Sequence, residues 1–279
     1  MSLVSQRLYG IRGFHLVTAD LSRLVGFYRD VLGFAVVGSV QPIPAEELSL
    51  LGLRGGGLRQ VLSIGLQKVA IDQFEKTGRP YPAASDAASL WFQHLALVVV
   101  DIATAHARLR SFAPISIDGP QRLPASSGGV KAFKFDDPNG HPLELLQFPA
   151  SDVPASWRGR ALLPGQIALG IDHSAISVKD ADKSSGFYAA LGLKPGKRTL
   201  NDGLAQQRLD DLGNVEVTVA PLIPDNPTPH LELPAYHFPR GERGTATEAN
   251  DTSATRILWH GAKAELLRDP DEHFQQVEP

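Results

Sequence analysis

Gly26-Phe27-Tyr28-Arg29-Asp30-Val31-Leu32-Gly33-Phe34 recurs as Gly186-Phe187-Tyr188-Ala189-Ala190-Leu191-Gly192-Leu193. Each copy follows an apolar run that carries a histidine, Phe14-His15-Leu16-Val17 in one and Asp172-His173-Ser174-Ala175-Ile176 in the other. A weaker copy of the same opening lies at Phe92-Gln93-His94-Leu95-Ala96-Leu97-Val98. Asp137-Pro138-Asn139-Gly140-His141 is echoed by Asp269-Pro270-Asp271-Glu272-His273. Internal repeats on this scale mean that one supersecondary unit is used several times. The pattern reads as up to four modules in two pairs.

The unit itself is legible. A short strand carries the histidine. Asp20 then has the chemistry of an N-cap for an amphipathic helix near residues 21–32, with Leu21, Leu24, Val25, Tyr28 and Leu32 on one face. Gly33 ends it as a glycine that can take a left-handed backbone. Strand-like runs follow at Phe34–Val37, Gln60–Leu66 and Lys68–Phe74. The second unit repeats this plan, with Asp101 capping a helix near 102–112 and strands at Val130–Phe135 and Pro142–Phe148. The expected fold class is α+β, built from tandem strand–helix–three-strand (βαβββ) modules.

Pro149, Pro154, Gly159 and Pro164 break any regular element between the halves. Residues 1–155 are therefore expected to form an N-terminal pair of modules, and 156–279 a C-terminal pair. Module three is expected over 165–221, followed by a Pro-rich connector through Pro229 and a polar, mobile stretch over 241–253. Only 254–278 then remains for a fourth module, which is too short for a full unit and reads as degraded, its helix missing.

Composition excludes several classes. The net charge of −3 over 279 residues argues against a nucleic-acid footprint. The chain has no cysteine, which removes disulfides, thiolate nucleophiles and Cys-type zinc sites. No apolar run reaches the roughly 18 residues that span a bilayer, and the first residues lack a signal-peptide core. The expectation is a cytoplasmic protein that acts on a small molecule, without nucleic-acid or membrane partners.

Period-two alternation puts His15 with Val17, His94 with Ala96 and Val98, and Glu144 with Leu146 and Phe148 on single strand faces. A lone strand histidine is usually only packed. His15 and His94 gain weight because they open repeated units, and Glu144 because an unpaired acid inside an apolar strand is costly. Two imidazoles and one carboxylate make a facial site for a divalent metal, so His15, His94 and Glu144 are the expected metal ligands. His173 with Glu216 forms a reserve site in the second half. Module four carries Gln276 where a last-strand acid would stand.

These features, in this order, resemble the vicinal oxygen chelate superfamily of glyoxalase I, bleomycin-resistance proteins and extradiol ring-cleaving dioxygenases. The resemblance covers about residues 10–221. It implies βαβββ modules paired into two curved mixed sheets around a metal cleft. In glyoxalase-like members each module offers a first-strand ligand and a last-strand carboxylate. Aligning Phe74 with Phe148 sets Ala70 opposite Glu144, which breaks that four-ligand pattern in the first half. The surviving His, His, Glu set is similar to the iron ligands of the ring-cleaving dioxygenases. Their tyrosine before the turn is replaced by Lys134, and substitutes from Tyr28, Trp91 or Tyr236 are not placed by sequence.

The resemblance thus implies one divalent ion, Fe(II) favoured over Mn, Ni, Co or Zn, and a substrate with vicinal oxygens. The leading expectation is a dioxygenase-like enzyme. A glyoxalase-like lyase or isomerase, with Glu144 as catalytic base, and a metal-free binding protein of the bleomycin-resistance kind are the alternatives. An exposed edge at the fourth module is the basis for expecting a homodimer.

Overall fold

A computed structural model describes residues 6–226, 228–242, 244 and 246–279. Pro227 of the expected connector, Arg243 and Thr245 of the expected mobile stretch, and the first five residues lie outside the described residues. The first module comprises β1 (Leu8–Val17), α1 (Leu21–Gly26) continued by a π turn at Phe27–Val31, β2 (Ala35–Pro42), α2 (Ala45–Leu50), β3 (Gly57–Ile64) and β4 (Gln67–Phe74). The second comprises β5 (Gln93–Val98), α3 (Ile102–Ala107), β6 (Gln121–Arg122), β7 (Lys131–Asp136) and β8 (Pro142–Gln147). The third comprises β9 (Gly170–Ile176), α4 (Ala181–Ala190), β10 (Lys194–Pro195), β11 (Thr199–Asp202), α5 (Gly203–Asp210), β12 (Glu216–Ile223) and β13 (His230–Phe238). The last has β14 (Arg256–Gly261), β15 (Glu265–Arg268) and β16 (Phe274–Glu278), with no helix among its described residues.

The local chemistry works as the repeat suggests. Asp20, Asp101 and Asp180 each cap the helix that follows, their carboxylates accepting from backbone N–H groups of the first turn. Leu21, Leu24 and Tyr28 are buried on the inner face. Gly33 takes φ +78°, the left-handed conformation of a C′ glycine. The expected strands form, but α2 is an additional helix inserted between β2 and β3.

The strands make two mixed sheets. One runs β15-β16-β14-β1-β4-β3-β2, and the other runs β10-β12-β13-β9-β5-β8-β7-β6 with β11 beside β12. Module one therefore pairs with module four, and module two with module three. A cut at 155/156 does not separate the sheets, because β5 pairs with β9 across it. The third module also extends past 221: the Pro-rich stretch ends in β13, which lies parallel to β9. The two modules in each sheet meet through their first strands, β1 on β14 and β5 on β9, both antiparallel.

One hydrophobic core joins the sheets. It combines Phe14, Leu24 and Tyr28 of module one with Leu95, Leu97, Ile171, Tyr188 and Trp259 of the other three. The outer faces of the sheets are then free to form clefts.

Candidate metal centre

The parallel pairing of first and last strand fixes which side chains of a module can meet. In module two Ala96 stands opposite Glu144, and in module three Ala175 stands opposite Glu232. The histidine lies two residues before that alanine in both, His94 in one and His173 in the other. The antiparallel β5–β9 ladder then sets Ala96 against His173 and His94 against Ala175. A local two-fold relation thus brings two histidines and two glutamates to one face of the sheet.

The distances are short. His94 Nε2 lies 2.9 Å from Glu144 Oε2. His173 Nε2 lies 3.7 Å from the same oxygen and 3.5 Å from Glu232 Oε2. One atom each of His94, Glu144 and His173 lie within 4.8 Å of one another. Ligands about 2.1 Å from a common ion stand about 3–4.2 Å apart, a range that the His173–Glu144 separation meets and the His94–Glu144 separation approaches, while Glu232 stands outside this group of three. Behind the centre, Asp172 Oδ2 is 3.1 Å from His173 Nδ1 and its other oxygen accepts from Trp157 Nε1 at 2.5 Å. A carboxylate on the far ring nitrogen fixes the tautomer that offers Nε2. His94 Nδ1 has no such support and is buried without a partner among the described residues.

The charges are shaped by burial. Burial alone would raise the Glu144 carboxyl, but hydrogen bonds from His173 and His94 and the charge of Lys134 hold it well below the usual range. Burial pulls His94 down, toward the neutral form that binds metals. Burial would also lower His173, yet Glu232, Asp172 and Glu144 outweigh it and raise the ring well above its ordinary value. Two carboxylates facing two imidazoles call for a cation. The carboxylates that raise His173 favour positive charge at this position, which a divalent ion would supply.

A cavity of about 290 Å³ opens onto these groups. Leu123, Val130, Leu146, Phe148, Val217 and Val219 give it apolar walls. Its polar end is a chain of contacts. Lys134 Nζ donates to Asp210 at 2.6 Å, Tyr236 Oη donates to the other Asp210 oxygen at 2.9 Å, and Gln206 Nε2 donates there at 2.7 Å. An apolar pocket with a few convergent polar groups is the usual form of a small-molecule site.

His94 and Glu144 meet as expected, but His15 does not join them. It stands in the other sheet, with its Nδ1 3.2 Å from Asp72 Oδ2. The cause is a shift along the strand. His94 and His173 precede their helix caps Asp101 and Asp180 by seven residues, whereas His15 precedes Asp20 by five. The ladder confirms it: Val17 pairs with Asp72 as Val98 pairs with Leu146, so His15 corresponds to Ala96 and the true counterpart of His94 is Gly13. Glu216 is exposed at the start of β12 and reaches no site. Glu232 takes its place. Leu231-Glu232-Leu233 repeats Leu143-Glu144-Leu145, a signal hidden by the surrounding prolines. Tyr28 donates to Asp137 within the core, while Tyr236 lines the cavity.

Residues 10–145, just under half of the chain, match the Glyoxalase/Bleomycin resistance protein/Dioxygenase superfamily. That stretch carries His94 and Glu144; His173 and Glu232 lie beyond it. Over nearly the whole chain the fold is shared with glyoxalase I from Zea mays, at 15% identity, TM-score 0.59, covering 98% of this chain and 92% of that one. A putative dioxygenase from Bacillus subtilis aligns at 13% identity, TM-score 0.60, covering 97% and 85%. The virulence protein STM3117 of Salmonella typhimurium is 25% identical over 138 residues, 48% of this chain and 80% of that protein. Members of this superfamily typically use divalent metals and bind small molecules. No helix among the described residues is long and apolar enough to cross a membrane.

Proposed function

We propose that this protein is a metal-dependent lyase or isomerase of the glyoxalase kind, acting on a small substrate with two adjacent oxygens. One observation carries the reading: His94, Glu144, His173 and Glu232 occupy the four equivalent positions of a module pair and face one cavity. The first-half gap at Ala70 is not a gap in this pair. A divalent ion held by these side chains would keep positions open for a vicinal pair of substrate oxygens. A three-ligand set with room for oxygen as well, the dioxygenase geometry, is correspondingly less well matched.

His94, His173, Glu144 and Glu232 would hold the ion, which would supply Lewis-acid stabilisation of negative charge on the substrate oxygens. The chain supplies the remainder. Glu144 or its twin Glu232, on release from the ion, would take a proton from the substrate carbon as general base and return it to the neighbouring carbon. Asp172 keeps His173 oriented, the apolar walls exclude water, and the Lys134–Asp210–Tyr236 chain, with Lys134 opposite Glu144 in the β7–β8 ladder, contacts the polar end of the substrate.

Metal analysis of the purified protein, followed by deuterium uptake from D2O into α-hydroxyketones on reconstitution with Zn, Ni, Co, Mn or Fe(II), tests this. Exchange that is lost in Glu144→Gln or Glu232→Gln is the expected result. Absence of both bound metal and exchange would leave the metal-free binding reading. Oxygen uptake with a catechol panel would favour ring cleavage.

A further inference from the structure

The sheet formed by modules one and four holds a counterpart of the first cleft, related to it by the same ladder and filled by buried side chains. Its four ligand positions can be read directly. In module one they are Gly13 and Ala70. In module four, Leu258 stands opposite Gln276, so the positions are Arg256 and Gln276. None of these four is a metal ligand of the first cleft's kind. A side chain at Gly13 would be crowded, since a Cβ there would lie 2.7 Å from the Lys68 carbonyl oxygen.

Yet the second cleft is not empty of ligand chemistry. Two residues along from the vacant positions, His15 and Asp72 meet Glu47 of the inserted helix α2. One atom of each lies within 4.8 Å of the others, all three side chains buried. Into this cluster project two guanidinium groups. Arg59 holds Asp72 through Nε at 2.6 Å and Nη2 at 2.9 Å, and holds Glu47 at 2.8 and 2.7 Å. Arg256, with no solvent exposure at all, donates from Nη2 to Asp72 Oδ2, the same oxygen that meets His15. Leu48 and Leu51 of the same insertion pack with Phe74 and Phe274 over the cleft.

The charges in the two clefts correspond. Glu144 and Glu232 face the place of a divalent ion. Asp72 and Glu47 face two arginines. Two carboxylates line each position, and two fixed cationic side chains stand where the first cleft would hold one mobile ion.

We propose that Arg256 is a built-in cation that closes a His15–Asp72–Glu47 site to divalent metals, so that only the His94–His173 cleft binds an ion. Arg256 reaches the cluster from the strand position that His173 holds in the other sheet. It adds to the two Arg59 contacts on Asp72 and takes the Asp72 oxygen that meets His15. The count of one ion per chain rests on the centre proposed above, but the exclusion by Arg256 does not.

Calorimetric titration of the chelator-treated full chain with Co(II) reads this, with the d–d absorbance reporting ligand type. The wild type should take one equivalent. Arg256→Ala should take one more than the wild type, and Arg256→Lys, which keeps the charge, should not. Restoring the lower count in Arg256→Ala/Asp72→Asn would assign the new ion to the cluster. A folded Arg256→Ala that binds no more than the wild type overturns the proposal. Should Arg256→Ala not fold, His94→Ala decides: it retains His15, Asp72 and Glu47 and is expected to bind no ion, and one tight equivalent lost on adding Asp72→Asn would refute the exclusion. A wild type that binds none, with one gained in Arg256→Ala, would count against the first centre and support this inference.

Discussion

Asp72→Asn is the most informative single substitution for the folded state. Asp72 is fully buried and accepts from three guanidinium N–H groups, two of Arg59 and one of Arg256, and lies beside His15. Hydrogen bonds to charged groups contribute about 1.5–3 kcal/mol each, but they are not additive. The better guide is the cost of breaking a buried ion pair from one side, about 3–5 kcal/mol, because the partner is left as an uncompensated charge. Arg59 keeps Glu47, so the orphan is Arg256, whose remaining contact is the Ala249 carbonyl at 3.2 Å. For a chain of this size each kcal/mol shifts Tm by about 2–4 °C, so a fall of about 10 °C is expected. Thermal and urea unfolding followed by circular dichroism measure it. The double variant Asp72→Asn/Arg256→Met should be less destabilised than the sum of the single changes, by at least about 1 kcal/mol. A loss below about 1 kcal/mol in Asp72→Asn, or strict additivity in the double variant, would refute the view that these groups neutralise one another.

Three further outcomes follow from the same geometry. Asp172→Asn should weaken metal binding about 10–100-fold, measured by competition with a chromogenic chelator, because it releases His173 Nδ1. Lys134→Met should cost about 3 kcal/mol in urea unfolding, since it removes the cation paired with the buried Asp210 carboxylate and leaves it only the neutral donors Tyr236 and Gln206. Asp136 is raised to about 6 by burial and by neighbouring Asp137. Its folded pKa lies above the unfolded one, so the stability linked to it is full below about pH 4 and lost as pH rises through about 6. Asp136→Asn should therefore be more stable than the wild type at pH 8, by about 1 kcal/mol after allowing for partial solvent screening, and no more stable at pH 4.

The repeated unit was readable because helix caps, the C′ glycine and strand alternation are local properties. Asp20, Asp101 and Asp180 announce their helices within a turn. Which module pairs with which is not local. It depends on first strands meeting edge to edge, β5 on β9 and β1 on β14, and nothing in their apolar residues encodes the partner. The error at His15 has a different source. Its offset from Asp20 is two residues shorter than that of His94 from Asp101, and two residues along a strand is about 6.6 Å, enough to move an imidazole from one cluster to another. Glu232 was obscured by composition. Pro224, Pro229 and Pro234 around it read as a connector, although a proline can lie in a strand where its missing N–H is not needed.

Anomalous diffraction from crystals grown with Co(II) tests the metal centre most directly. A single peak is predicted about 2.0–2.2 Å from His94 Nε2, His173 Nε2 and oxygens of Glu144 and Glu232. No peak at that position, or a peak among His15, Glu47 and Asp72 instead, would contradict it.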